Sequence, residues 1–111
     1  MTVKELLIIM DKVKASDLYI TVDAPPMFRI EGVTRPYGES KFTPHQTEDI
    51  AQSLLTERQK SVFAETMEIN LGLYYPELGR YAGLLTVHLV YYCFYKLNSQ
   101  MTLKYDHNQG L

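Results

Sequence analysis

A single cysteine, Cys93, and no tryptophan occur in the 111 residues. One thiol allows no disulfide within the chain, and the sequence suits a reducing compartment. An excess of charge of one sign is missing too. Eleven basic and thirteen acidic side chains leave a net charge of −2, which excludes a general attraction to nucleic acid or to an acidic membrane surface. The longest apolar stretch, Ala82 to Tyr95, is interrupted by His88 and falls short of the ~18 residues a membrane helix needs. The start, M-T-V-K-E-L-L-I-I-M-D-K, carries charges on both sides of a short apolar run and has no small-residue cleavage site of a signal peptide. Neither an internal repeat nor a low-complexity segment is present. These absences lead to an expectation of a soluble, cytoplasmic chain with no membrane insertion and no nucleic-acid partner.

What is there is one domain's worth of chain, 46% hydrophobic, enough to bury a core. Its centre is Ala15 to Pro36. Leu18, Ile20 and Val22 alternate with Tyr19, Thr21 and Asp23, the period of a half-buried strand. Pro25-Pro26 lack backbone N–H groups and must stop it. Met27 to Ile30 resumes the alternation, with Arg29 opposite in direction to Phe28 and Ile30, and Glu31-Gly32 is a hairpin turn candidate leading to a third strand.

Before this sheet, Thr2 and Glu5 form a capping box, and Val3, Leu6, Leu7, Met10 and Val13 recur at helical spacing over residues 3 to 14. After it, Thr43-Pro44 with Gln46 starts a second helix with Ile50, Ala51, Leu54 and Leu55 on its apolar face. Thr56 and Gln59 repeat the box for a third helix that should bury Val62, Phe63 and Met67. Residues 67 to 75 return to strand alternation, Pro76 to Gly79 is a turn, and Arg80 opens a further strand. From Tyr81 only one acidic residue, Asp106, remains, against twelve before it. The run from Leu84 to Tyr95 reads as one extended strand, apolar on both faces, which would have to be covered on both. The expected fold is α+β and PAS-like: a mostly antiparallel sheet, an N-terminal helix and a central helical pair.

Few residues offer chemistry. His45, His88 and His107 are scattered and pair with no cysteine, so no metal site is expected. Cys93 has no charged neighbour in sequence and reads as an inert thiol. Glu65 and Glu68 are three apart, but the helix should end between them, so no catalytic residue is assigned. Tyr91, Tyr92, Phe94 and Tyr95 lack accompanying Arg or Lys, which favours core or dimer packing over base stacking. Arg29 and Arg35 lie on adjacent strands; solvated surface charge is the favoured account of them, with a small basic patch shared with Arg80 as the functional alternative. Asp17, after Ser16, is a turn former or a subunit contact.

An ordered set of pieces resembles the N-terminal domain of type IV pilus retraction (twitching motility) ATPases of the PilT/PilU type. They are Leu6-Leu7 and Met10, Ala15-Ser16-Asp17-Leu18, Pro25-Pro26, Arg29, Gly32, Thr43-Pro44, Gln46-Thr47, Leu55-Thr56-Glu57, Gln59, Phe63, Glu68 and Gly79-Arg80-Tyr81. The resemblance implies a PAS-like domain ahead of a RecA-like motor, hexameric rings, ATP and Mg in the full-length family, and work in the pilus machinery at the cytoplasmic side of the inner membrane. It also implies packing on a neighbouring subunit's motor, with Arg80, and with it Arg29 and Arg35, as the residues carried over to the nucleotide or subunit interface and Asp17 as a subunit contact.

Two departures stand out. No G-x-x-x-x-G-K-[ST] phosphate loop occurs, so the motor is missing, and no catalysis or cofactor is expected of this chain alone. After Gly79-Arg80-Tyr81 the family continues with a basic strand of the form R-V-N-x-F-x-Q-R, whereas this chain has Ala82-Gly83-Leu84-Leu85-Thr86. The expected organisation is a domain over 1–97, diverged or frameshifted from about residue 82, and a tail over 98–111. A homo-oligomer is expected, with dimerisation or strand exchange open to the fragment; a small-molecule sensor is the alternative, marked by a sizeable apolar cavity.

Overall fold

The computed structural model describes residues 1–87 and 91–97. Its chain order is α1 (Val3–Lys12), β1 (Asp17–Thr21), β2 (Met27–Ile30), β3 (Val33–Pro36), α2 (Pro44–Leu54), α3 (Glu57–Thr66), β4 (Glu68–Tyr75), β5 (Gly79–Thr86) and β6 (Tyr91–Lys96). The strands form one antiparallel sheet in the order β3-β2-β1-β6-β5-β4. The fold is α+β, as the periodicities require.

Local chemistry sets the element ends. Each helix opens on a reciprocal capping box: Thr2 with Glu5, Thr43 with Gln46, and Thr56 with Gln59. In each, the threonine hydroxyl accepts from the third residue's N–H and that residue's side chain accepts from the cap's N–H. Glu31 (φ 50°) and Gly32 (φ 78°) make the two-residue turn that sets Ile30 opposite Val33, the mirror-image turn whose twist suits a hairpin. Beyond Thr21 the ladder gives way to a single bridge between Val22 and Phe42, and the amide of Asp23 donates to the Phe42 carbonyl. Phe42 is buried by this pinning and anchors the loop that leads into α2.

The pleat sorts the sheet into two faces. Following the register, Phe28, Leu18, Phe94 and Gly83 share one row, and Ile20, Tyr92, Leu85 and Ile69 another. These rows, with Leu71 and Tyr81, form the core against Val3, Leu6, Leu7 and Met10 of α1 and Ile50 and Ala51 of α2. Leu6, Leu7, Leu18, Ile20, Tyr81, Leu85 and Phe94 have no solvent exposure, so the space between sheet and helices is filled. Between β6 and α2, the Tyr92 hydroxyl donates to the Thr47 carbonyl at 3.0 Å, in a buried setting.

Two expectations are corrected. Leu84 to Tyr95 is not one strand: β5 ends at Thr86, Val87 is in a turn, and β6 begins at Tyr91. The chain reverses, so Leu84 joins Tyr91 and Cys93 on one face while Leu85 joins Tyr92 and Phe94 on the other. His88, Leu89 and Val90 of that expected strand lie outside the described residues, as does the tail over 98–111. Nor does α3 bury what its pattern promised. Val62 is 42% exposed and Met67 46%, and only Phe63 leans on the core. Met67 is turned outward because it is the left-handed C-cap residue (φ 66°), its amide closing the helix on the Phe63 carbonyl.

Candidate functional site

Among the described residues the core lies on one side of the sheet. The other face carries Arg29 on β2, Asp17, Tyr19 and Thr21 on β1, Tyr91, Cys93 and Tyr95 on β6, Arg80, Ala82, Leu84 and Thr86 on β5, and the even-numbered residues of β4. Most of its middle is half-buried, and none of the described helices packs on it. The expectation that β6 would be covered on both sides is therefore not met among the described residues.

Asp17 and Arg29 are opposite each other in the ladder. The Ser16 hydroxyl donates to Asp17 Oδ2 at 2.7 Å, and Arg29 Nε stands 3.9 Å from the same oxygen. The Arg29 guanidinium also lies 5.8 Å from the centre of the Tyr19 ring, within range of a cation–π attraction. Tyr19 and Tyr91 place their rings 5.8 Å apart at 31°. A shallow depression follows, lined by Tyr19, Thr21, Met27, Arg29, Thr34 and Tyr91. Burial pushes both tyrosine hydroxyls above the usual phenol value, with the Asp17 charge adding to it. Burial, then Asp17, also pushes up the Cys93 thiol, so the cysteine is held in its unreactive form.

The three arginines do not converge. Arg29 is paired with Thr34, whereas Arg35 is paired with Phe28, so Arg35 projects from the core face at the sheet's edge. Arg80 does share the open face, but β1 and β6 lie between its strand and that of Arg29, a separation of roughly 14 Å at the usual strand spacing. Its guanidinium sits 5.0 Å from the centre of the Tyr74 ring. Asp17 is tied to Ser16 and Arg29 of its own chain. Sequence reasoning missed Tyr19, Met27 and Tyr91 as one surface. The alternation around Leu18 and Ile20 places Tyr19 outward, but Tyr91 joins it only because of the reversal after Thr86.

Nothing in this face assembles a nucleophile with a base, and no three His, Cys, Asp or Glu side chains come together as a metal set among the described residues. Two surface grooves of about 250 and 270 Å³ run beside Met1, Phe42 and Gln46, the first bordered by Asp49 and Ser53 of α2 and the second by the 37–41 loop. An amphipathic sheet surface with aromatic and cationic side chains suits contact with another protein surface.

No family model matches the chain. The type IV pilus ATPase PilU of Pseudomonas aeruginosa is 31% identical over 81 residues, 73% of this chain and 21% of that protein. The type IV pilus retraction ATPase PilT of the same organism is 27% identical over 81 residues, 73% of this chain and 24% of its own length. The crystal structure of the pilus retraction motor PilT with bound ADP superposes with a TM-score of 0.79 over 89% of this chain and 30% of that one, at 21% identity. The chain matches the N-terminal domain of the PilT/PilU-type pilus ATPases. The Legionella pneumophila ATPase DotB shares this fold, with a TM-score of 0.74 over 88% of the chain and 30% of DotB at 15% identity. The chain spans about a fifth to a quarter of the curated PilU and PilT sequences. Structural agreement with PilT reaches further along the chain, at 89%, than the 73% of the sequence match.

Proposed function

We propose that the chain is the assembly domain of a PilT/PilU-type pilus ATPase, packing against a neighbouring subunit's motor in a hexameric ring. The observation that carries this is the 81-residue match to PilU that spans only 21% of that relative. The phosphate loop is absent from this sequence, so nucleotide and Mg belong to a motor outside it and the chain alone hydrolyses nothing. Domain 1–97 does the docking; the open face with Arg29 and Asp17, and Arg80 beside Tyr74, are the contacts assigned to it. Arg35, on the other face, serves only if the neighbour also reaches the β3 edge. The place of work is the cytoplasmic side of the pilus base. A filled interior supports docking over small-molecule sensing, which needs a cavity in the core.

Titrating this chain against a PilT/PilU-type motor domain stripped of its own N-terminal domain, with and without ATP and Mg, tests the proposal. Saturable binding, weakened by Arg29→Glu or Arg80→Glu, is expected, with no phosphate release from the chain alone. No binding, or hydrolysis without the motor, overturns it.

A further inference from the structure

The two ends of the sheet are built differently. At one end β3 has four residues, carries Arg35 and stops at Pro36, a blunted edge of the kind that discourages pairing. At the other end β4 has eight residues, E-I-N-L-G-L-Y-Y, with a single charge and no proline. Its outward groups follow from the register. The Val87 amide donates to the Met67 carbonyl, which makes Met67 and Val87 a hydrogen-bonded pair. Alternation then turns the main chain of Ile69, Leu71, Leu73 and Tyr75 toward β5 and that of Glu68, Asn70, Gly72 and Tyr74 away from it. The outward Glu68 carbonyl is taken by the Thr66 hydroxyl at 2.7 Å. The main-chain groups of Asn70, Gly72 and Tyr74 have no partner among the described residues.

We propose that β4 pairs antiparallel with β4 of a second copy of this chain, about a two-fold axis at Leu71. This register sets Asn70 opposite Gly72 and Glu68 opposite Tyr74 of the other copy, so the outward groups of Asn70, Gly72 and Tyr74 meet in hydrogen-bonded pairs, with the Glu68 carbonyl accepting a second bond beside that of Thr66. On the core face it sets Leu71 against Leu71 and Ile69 against Leu73, extending the cover of two half-buried side chains. On the open face it brings Glu68 of each copy toward Arg80 of the other, which stands over Tyr74. Within one chain Glu68 faces Thr86 while Arg80 faces Tyr74, six positions along the strand and roughly 20 Å away, so the pair forms only between copies. A two-fold contact closes at two copies, and it joins two assemblies rather than propagating around a ring. It stands independently of the pilus reading.

The test is mass against concentration for the 111-residue chain, by sedimentation. An edge of this length buries an area in the small class, below about 1,200 Å², which implies a weak, concentration-dependent dimer. Glu68→Arg and Arg80→Glu, each alone, should weaken dimerisation roughly tenfold, and the double variant Glu68→Arg/Arg80→Glu should restore it. Asn70→Pro, which removes an outward N–H and no ladder bond, should leave a folded monomer. A wild-type monomer up to about 1 mM, species larger than a dimer, or a double variant no tighter than the single ones overturns the proposal.

Discussion

Lys96 on β6 reaches Asp11 on α1, its Nζ 3.1 Å from Oδ1 and 3.4 Å from Oδ2, and passes 5.9 Å from the centre of the Tyr81 ring. The bridge lies over a fully buried tyrosine whose hydroxyl has no hydrogen-bond partner among the described residues. Burial, then the Asp11 and Tyr75 charges, push that hydroxyl up to about 12.

Tyr81→Phe should therefore raise stability by about 1 kcal/mol, because it removes a desolvated polar group that gains nothing in return. The pH dependence has a definite sign. The unfolded phenol ionises near 10 and the folded one near 12, so between these values the native state holds the extra proton and stability falls as pH rises. Denaturant melts from pH 8 to 11 should show a shallower alkaline decline in the variant than in the wild type.

Tyr92→Phe is the same chemical change with the opposite outcome. Its hydroxyl donates a second hydrogen bond to the buried Thr47 carbonyl, which α2 already engages through its own ladder, so the variant deletes one buried bond and relieves no unpaired group. A loss of about 1 kcal/mol is expected from urea melts. Equal effects at both tyrosines would contradict the account of Tyr81.

Gly83 lies opposite Phe94. A Cβ there would stand 2.9 Å from two Phe94 ring carbons and 3.2 Å from Leu71 Cδ2. The phenyl ring is fully buried and has no room to withdraw, so Gly83→Ala should cost about 1–3 kcal/mol, read as a lowered thermal midpoint.

Met67→Gly should do the reverse. Methionine holds a left-handed φ of 66° while 46% exposed, so glycine relieves backbone strain and sacrifices little burial. A gain of about 0.5–1 kcal/mol is expected by chemical denaturation. A loss instead would mean that the half-exposed side chain packs more tightly than its burial implies.

What could be read in the sequence was what is local. The three capping boxes span four residues each, and the Glu31-Gly32 turn spans two, so the physics that fixes them lies inside a short window. The alternation around Leu18 and Ile20 marked the buried face for the same reason. The reversal after Thr86 left no such trace: neither glycine nor proline marks it, and both arms are apolar, so period alone joined them into one strand. The arginine patch failed for a related reason. Adjacent strands settle proximity, but the face is set by register, and across the two-residue turn Arg29 meets Thr34 rather than Arg35. The carry-over of Arg80 and Asp17 came through family likeness, and a partner's surface is not written in this chain's periodicities.

The position of β6 between β1 and β5 has a consequence for biosynthesis. The last described strand to be translated is the one that joins the sheet's two halves. A nascent polypeptide halted at Thr86 holds a three-stranded unit, β1 to β3, and a separate β4–β5 hairpin, with the Leu18–Ile20 and Leu85 rows still lacking the Tyr92 and Phe94 that lie between them. The domain closes only once Lys96 has cleared the ribosomal exit tunnel, and resistance to proteolysis should arrive in one late step.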